Sequence, residues 1–128
     1  MTATPSALVL RLPWPPATLS PNGRVHWAEK ARAAKKYRAL CGWTASAEIA
    51  RVGRPPIPSG ARVLVDLTFY APTLGRYDLD NALARMKSGL DGLADALWVD
   101  DSRFRISFQK SPPETKGGFV HVEVRIEE

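Results

Sequence analysis

Four short segments of the chain carry the hydrophobic pattern of β-strands. In the segment from residue 61 to 70, apolar residues alternate with more polar ones, and this period of two predicts a strand with one buried face. The residues of that face are Val63, Val65, Leu67 and Phe69. Comparable patterns, bounded by turn-forming residues, predict further strands at residues 7–12, 103–110 and 119–126.

Two longer segments repeat their apolar residues with the period of an α-helix. From residue 80 to about 97, one apolar stripe predicts a helix whose buried face consists of Leu83, Met86, Leu90, Leu93 and Leu97. The segment from about residue 25 to 50 predicts a second helix, with Trp43 at the margin of its buried face. That face comprises Ala33, Tyr37, Leu40, Thr44 and Ala47. We expect the tryptophans at 27, 43 and 98 to pack in the core rather than to stack on a base.

The order of these elements, β-α-β-α-β-β, predicts one α+β domain over residues 1–128. We expect a mixed or mostly antiparallel four-stranded sheet packed with two main helices. Asn22-Gly23 indicates a turn before the first helix, and residues 111–118 form a flexible loop that could cover a ligand. Gly89 and Gly92 lower helix propensity by about 1 kcal/mol each relative to Ala, so they indicate a close approach by another backbone, with a subunit contact as one option.

Charge is distributed unevenly along the chain. The protein has a formal net charge of +5 and a pI near 9.7, which favours a nucleic acid or another anionic partner. The segment from Asp78 to Asp101 nevertheless carries −4, and the rest of the chain +9. Within the first helix, basic residues form a stripe that either faces water or contacts phosphates. Its members are Lys30, Arg32, Lys35, Lys36 and Arg38.

Cysteine content and hydropathy bear on the compartment. Cys41 is the only cysteine, so no intramolecular disulfide can form and a reducing compartment, the cytoplasm, is expected. No apolar run approaches the length of a membrane span and no secretory signal is evident, so we expect no membrane partner.

The acidic segment has the composition of a metal site. Asp78 and Asp80 are two residues apart at a strand-to-helix turn, where an extended backbone would point both carboxylates to one side. Magnesium binds oxygen ligands of this type. If the third strand pairs beside the second, Asp100 and Asp101 can return toward Asp78 and complete a site for phosphodiester hydrolysis.

The remaining residues of the acidic segment allow two structural interpretations. Asp91 lies about 16 Å from Asp80 by helix rise, too far to share one ion, and is expected to form an ion pair with Lys87. In the purely structural alternative, Asp80 is a helix N-cap and the Asp100-Asp101 pair forms a turn.

Four short motifs together resemble one known family. They are Leu12-Pro13-Trp14-Pro15-Pro16, Asp78-Leu79-Asp80-Asn81, Leu90-Asp91-Gly92-Leu93 and Val99-Asp100-Asp101-Ser102. This pattern resembles the RusA-like Holliday junction resolvases of phages and prophages, and the resemblance covers most of the chain. It implies a homodimeric endodeoxyribonuclease that needs Mg²⁺ or Mn²⁺ and makes paired nicks in four-way DNA junctions.

The resemblance also implies roles for individual residues. Asp78, Asp80 and one of Asp100 or Asp101 would bind the metal. Lys87 would be the essential helix lysine, although many members carry it where this chain has Ala84. Arg76 would join the basic helix in contacting DNA.

Two other functions fit the same residues. The first is a non-catalytic DNA-binding module, in which the acidic residues only cap and flank the helix. The second is a nuclease of the same chemistry that acts on other branched or flapped DNA.

Overall fold

A computed structural model describes residues 6–21, 24–73, 76–112 and 117–128 of the protein. The elements, in chain order, are β1 (Leu8–Pro13), a 3₁₀ turn (Ala17–Leu19), α1 (Trp27–Val52), β2 (Arg62–Tyr70), α2 (Leu79–Arg85), α3 (Lys87–Leu97), a second 3₁₀ turn (Asp101–Arg103), β3 (Phe104–Lys110) and β4 (Phe119–Glu127). The predicted Asn22-Gly23 turn and residues 113–116 of the predicted loop lie outside the described residues.

The strands form one mixed sheet in the order β1-β4-β2-β3. Strand β4 is antiparallel to both β1 and β2, whereas β3 runs parallel to β2. Helices α2 and α3 connect the two parallel strands, as such a connection requires. The predicted α+β class and the mixed four-stranded sheet are therefore confirmed.

One face of the sheet forms the hydrophobic core. The four predicted inward residues of β2, from Val63 to Phe69, are completely buried. The facing residues of β4 and β1 are also buried, namely Val120, Val122, Val124, Leu8, Leu10 and Leu12. Helices α1 and α3 cover this face, because both present apolar side chains that can be buried only against it.

The two glycines of α3 allow this helix to pack closely against α1. A Cβ atom added at Gly92 would clash with the carbonyl oxygen of Arg38 and lie 2.9 Å from the nitrogen of Gly42. A Cβ atom added at Gly89 would lie 2.6 Å from the Tyr37 ring. The predicted close backbone approach is confirmed at Gly92, and the approaching helix is α1 of the same chain, whereas at Gly89 the neighbouring atoms belong to side chains of α1.

This close packing changes which face of α1 is buried. The buried residues are Tyr37, Cys41, Ala45 and Ile49, whereas Leu40 is 40% exposed and Ala47 is also exposed. Of the predicted face, Tyr37 is buried and Ala33 packs partly buried against the core, whereas the prediction was wrong at Leu40 and Ala47. The closest approach to α3 is at the backbone of Arg38 and Gly42, and this contact sets which residues of α1 face inward.

The prediction that three tryptophans lie in the core was wrong. Trp27, Trp43 and Trp98 are 75%, 73% and 76% exposed. Trp98 ends α3 with a φ of 61°, the left-handed conformation that glycine usually provides, and the Arg54 guanidinium lies over its ring. By contrast, Trp14 packs edge-on against Phe69.

The predicted helix over residues 80–97 is divided at Met86. The Met86 amide donates to the carbonyl of Leu83, a 3₁₀-type bond that ends α2, and α3 begins at the next residue. Met86 itself is fully buried, as predicted, but Leu83 is only partly covered. Among the described residues, no helix combines the length and apolar character needed to cross a bilayer.

Candidate functional site

Asp78 is the N-cap of α2. Its Oδ1 atom accepts hydrogen bonds from the backbone nitrogens of Asp80, at 2.9 Å, and Asn81, at 3.3 Å. Asp78 rather than Asp80 therefore fills the capping role that the structural alternative assigned to Asp80. Both carboxylates are exposed, and Asp80 lies in the first helical turn. The Asn81 side chain accepts a hydrogen bond from Ser20 at 2.9 Å, which holds this motif against the segment after β1.

Asp100 and Asp101 differ in their surroundings. Asp100 caps the second 3₁₀ turn, and its carboxylate accepts a hydrogen bond from the backbone nitrogen of Ser102 at 2.9 Å. This hydrogen bond holds the pKa of Asp100 below its usual value. Asp101 instead lies near Asp91 of α3, and its carboxyl group contributes to a raised pKa of Asp91.

Asp91 is the residue that the sequence interpretation did not place in the site. Partial burial, and then the contact with Asp101, raise the pKa of Asp91, whereas nearby Lys87 and Arg38 lower it. Lys87 is thus near enough to lower the pKa of Asp91, but the ion pair predicted from the four-residue spacing is not among those formed by the described residues. The partner that the spacing could not reveal is Asp101, because it comes from the segment after α3.

The two acidic motifs lie at opposite ends of the β2–β3 pair. The Lys110 side chain at the end of β3 donates to the carbonyl of Tyr77 at 3.0 Å, so Asp78 lies near that end. Asp101 begins the 3₁₀ turn that directly precedes Phe104, the first residue of β3. Because β3 has seven residues, the two ends are on the order of 20 Å apart.

The expectation that Asp100 and Asp101 return to Asp78 within one chain was therefore wrong. The third strand does lie beside the second, as that expectation required, but the parallel direction carries the start of β3 to the far end. Within the described ranges, no three histidine, cysteine or acidic side chains converge closely enough to hold one metal ion. Among the described residues, Asp101 instead lies near Asp91 and Asp100, away from Asp78.

A groove, which we call the edge groove, runs from Asp101 along the edge of the sheet. It lies between the α2–α3 segment and the edge strand β3 and has a volume of about 390 Å³. Its lining includes Lys87 and Asp101, and its apolar members are Leu83, Ala84, Leu90, Phe104, Ile106 and Phe108. Ile106 is 41% exposed, so apolar surface at this edge remains in contact with solvent.

The predicted DNA-binding residues fall into two groups. Arg38 forms two hydrogen bonds with Asp95, at 2.8 and 2.9 Å, and this contact lowers the pKa of Asp95. Lys30 donates to the carbonyl of Ser20 at 3.1 Å. The other predicted residues, Arg32, Lys35, Lys36 and Arg76, have exposed side chains. The interhelical ion pair removes Arg38 from the set of cations free to meet phosphate.

Comparison with known proteins identifies one relative and no family. No family model matches the chain. A protein of Xylella fastidiosa (strain Temecula1 / ATCC 700964), described as an uncharacterized protein, is 40% identical over 102 residues. The similarity covers 74% of this chain and 61% of that protein, so the chain matches about three fifths of its relative's length.

Proposed function

We propose that the protein is a metal-dependent endodeoxyribonuclease that acts on branched DNA, with the four-way junction as its substrate. The observation that carries this proposal is that Lys87 and Asp101 line one groove and that both lie close enough to Asp91 to shift its pKa. A lysine beside carboxylates from separate segments suits hydrolysis of a phosphodiester, where a cation and a positive side chain stabilise developing charge.

The carboxylates of Asp78 and Asp80 can form one site with that of Asp101 if two copies of the chain associate. If two copies pair along β3, a two-fold axis perpendicular to β3 brings the start of this strand in one protomer next to its end in the other. The Asp78 and Asp80 end of one protomer would then meet the Asp101 end of its partner, and two equivalent sites would result. The exposed apolar residues of the groove, centred on Ile106, supply the surface for this contact.

The carboxylates present at such a shared site fit Mg²⁺, with Mn²⁺ as an alternative. Asp78 and Asp80 would come from one protomer and Asp101 from the other, and hard oxygen ligands of this kind are those that both ions bind. Between the two neighbours at 100 and 101, we assign the ligand role to Asp101, because Asp101 lines the edge groove beside Lys87. A bound ion supplies a hydroxide nucleophile and stabilises negative charge on the phosphate.

The residues of the chain account for the remaining steps. Lys87, exposed between the acidic ends, is positioned to neutralise charge on the phosphate or on the leaving oxygen. Arg32, Lys35 and Lys36 on α1, together with Arg76, would hold the DNA backbone without reading its sequence. Two sites related by a two-fold axis suit paired cuts in a junction with similar symmetry.

A non-catalytic DNA-binding module is the second candidate. It is favoured by the separation of the two acidic motifs within one chain, since capping by Asp78 and Asp100 then explains two of the carboxylates. A nuclease specific for flaps is a variant of the first proposal and shares its site. We also propose a cytoplasmic location, because Cys41 is a free thiol buried in the core.

Cleavage of synthetic DNA tests the proposal. The protein is incubated with a four-way junction, a flap and a linear duplex, with Mg²⁺ or with a chelator, beside the Asp80→Asn variant. We expect Mg²⁺-dependent nicking of the junction that Asp80→Asn abolishes, while junction binding is retained or strengthened because a negative charge has been removed. Binding without nicking of any substrate would establish the non-catalytic module, and nicking of flaps alone would establish the flap nuclease.

A further inference from the structure

A second groove, separate from the edge groove, lies between the start of α1 and the α2–α3 segment. Its volume of about 460 Å³ falls within the roughly 300–1,000 Å³ of typical small-ligand sites. The two grooves share Ala84 and Lys87, so they lie on either side of the proposed catalytic lysine. We call this second groove the Trp27 groove, after the aromatic residue at its mouth.

Trp27 is held in place although its side chain is 75% exposed. The neighbouring His26 caps α1, with its Nδ1 atom accepting a hydrogen bond from the backbone nitrogen of Ala28 at 3.2 Å. The His26 ring packs against the indole at a centroid distance of 5.5 Å. An exposed indole supported in this way offers a largely preformed surface for a flat aromatic ligand.

The walls of the Trp27 groove carry positive charge at fixed positions. Arg85 donates to the carbonyl oxygens of Pro15 and Pro16, and Lys30 donates to that of Ser20. Neutral carbonyl groups orient these cations without cancelling their charge, and Lys87 adds another. Asp91 is the one acidic residue in the described lining.

From these contacts we infer that the Trp27 groove binds an unpaired nucleotide of a DNA strand. The base stacks on Trp27, and its phosphates face Lys30, Arg85 and Lys87. An aromatic platform next to a row of cations is the usual composition of single-strand binding sites. The inference deepens the proposed function, because a nucleotide in this groove would lie next to Lys87 and so define a strand with an unpaired base as the preferred substrate.

The inference is tested by binding of a short labelled oligodeoxythymidine to the full chain, in chelator and at low salt, measured by fluorescence anisotropy. Trp27→Ala should weaken binding at least about fivefold, because one lost base stack costs about 1 kcal/mol or more. Trp27→Phe, which keeps an aromatic ring, should stay closer to the wild type. Trp43→Ala is the matched control, since Trp43 is 73% exposed on the same helix outside this groove, and it should bind like the wild type.

Equal affinity of Trp27→Ala and wild type, equal losses in both alanine variants, or no binding by the wild type would each overturn the inference. Circular dichroism of each variant establishes that it is folded. Because binding is measured without metal, the result is independent of cleavage. If the protein binds through Trp27 but never nicks DNA, the binding site is supported and the proposed nuclease function is refuted. If the protein nicks DNA but Trp27→Ala leaves oligonucleotide binding unchanged, the nuclease function is supported and this binding site is refuted.

Discussion

Substitution of Gly92 by alanine perturbs the contact between α1 and α3 at its closest point. The added Cβ atom would meet the Arg38 carbonyl oxygen and the Gly42 nitrogen, the latter at 2.9 Å. These are backbone atoms, so no side-chain rotation can relieve the overlap and one helix must move. Because α3 carries Lys87 and Asp91, the same movement displaces two residues of the candidate site.

The size of the effect follows from two opposing terms. Overpacking of this kind typically costs about 1–3 kcal/mol, and the contact with backbone atoms favours the upper part of that range. Alanine recovers about 1 kcal/mol through its higher helix propensity. We therefore expect Gly92→Ala to lower the free energy of unfolding by about 1–2 kcal/mol.

Gly42 provides a control on the facing helix. A Cβ atom there would lie 3.4 Å from the Gly92 carbonyl oxygen, an ordinary contact distance. Gly42→Ala should therefore be neutral or stabilising by up to about 1 kcal/mol. Urea unfolding followed by circular dichroism measures both variants. A Gly92→Ala protein as stable as the wild type, or more stable, would refute the close helix packing.

Three further predictions concern the acidic and basic residues. Asp78→Ala should destabilise the fold by about 1 kcal/mol through loss of the N-cap, whereas Asp78→Asn keeps the cap. If the Asp78 carboxylate also binds metal, both variants lose nicking activity. An Asp78→Asn protein that still nicks DNA would exclude a metal-binding role for Asp78. Because the pKa of Asp91 is raised in the folded state, its protonated form favours folding, and this contribution is lost as pH rises from about 4 through the raised value. The melting temperature of metal-free Asp91→Asn, relative to wild type, should therefore be higher at pH 7 and approach equality near pH 4, and a pH-independent difference would contradict the raised pKa that burial and Asp101 produce. Lys35→Gln should reduce the slope of log affinity against log salt concentration for junction DNA by about one unit. Arg38→Gln should reduce this slope less, because Arg38 is paired with Asp95. A Lys35→Gln slope equal to that of the wild type would argue against contact between DNA and this face of α1.

The strands and the order of elements could be predicted from the sequence because their signals are local. The alternation from Val63 to Phe69 is complete, and these residues are fully buried. Gly89 and Gly92 likewise indicated close packing, since glycine in a helix has a cost that contact with another backbone can offset. The buried face of α1 could not be predicted in this way, because it is set by how closely α3 approaches.

The candidate site was only partly predictable for a related reason. The sequence indicates which residues are acidic and that Lys87 and Asp91 are four residues apart on a helix. It does not indicate whether β3 runs parallel or antiparallel to β2, and that direction decides which end Asp101 occupies. The contact between Asp91 and Asp101 and the exposure of Trp27 depend on tertiary packing, which no local spacing records.

The proposed nuclease site requires carboxylates from two chains, and mixing two inactive variants tests this requirement most directly. Asp80→Asn and Asp101→Asn proteins are prepared separately, then unfolded and refolded together so that subunits exchange. In a mixed dimer, one site receives Asp80 from one protomer and Asp101 from the other and is intact, while the second site lacks both. Random pairing makes about half the dimers mixed, so nicking should return to about a quarter of the wild-type level.

The products and a control refine the result. The mixture should nick one strand of each junction instead of making paired cuts, because each mixed dimer has a single intact site. The Asp80→Asn/Asp101→Asn double variant refolded with either single variant should remain inactive. Restored nicking in the mixture of single variants is the result we expect, and a mixture as inactive as its two components, while refolded wild type recovers full activity, would contradict the shared site.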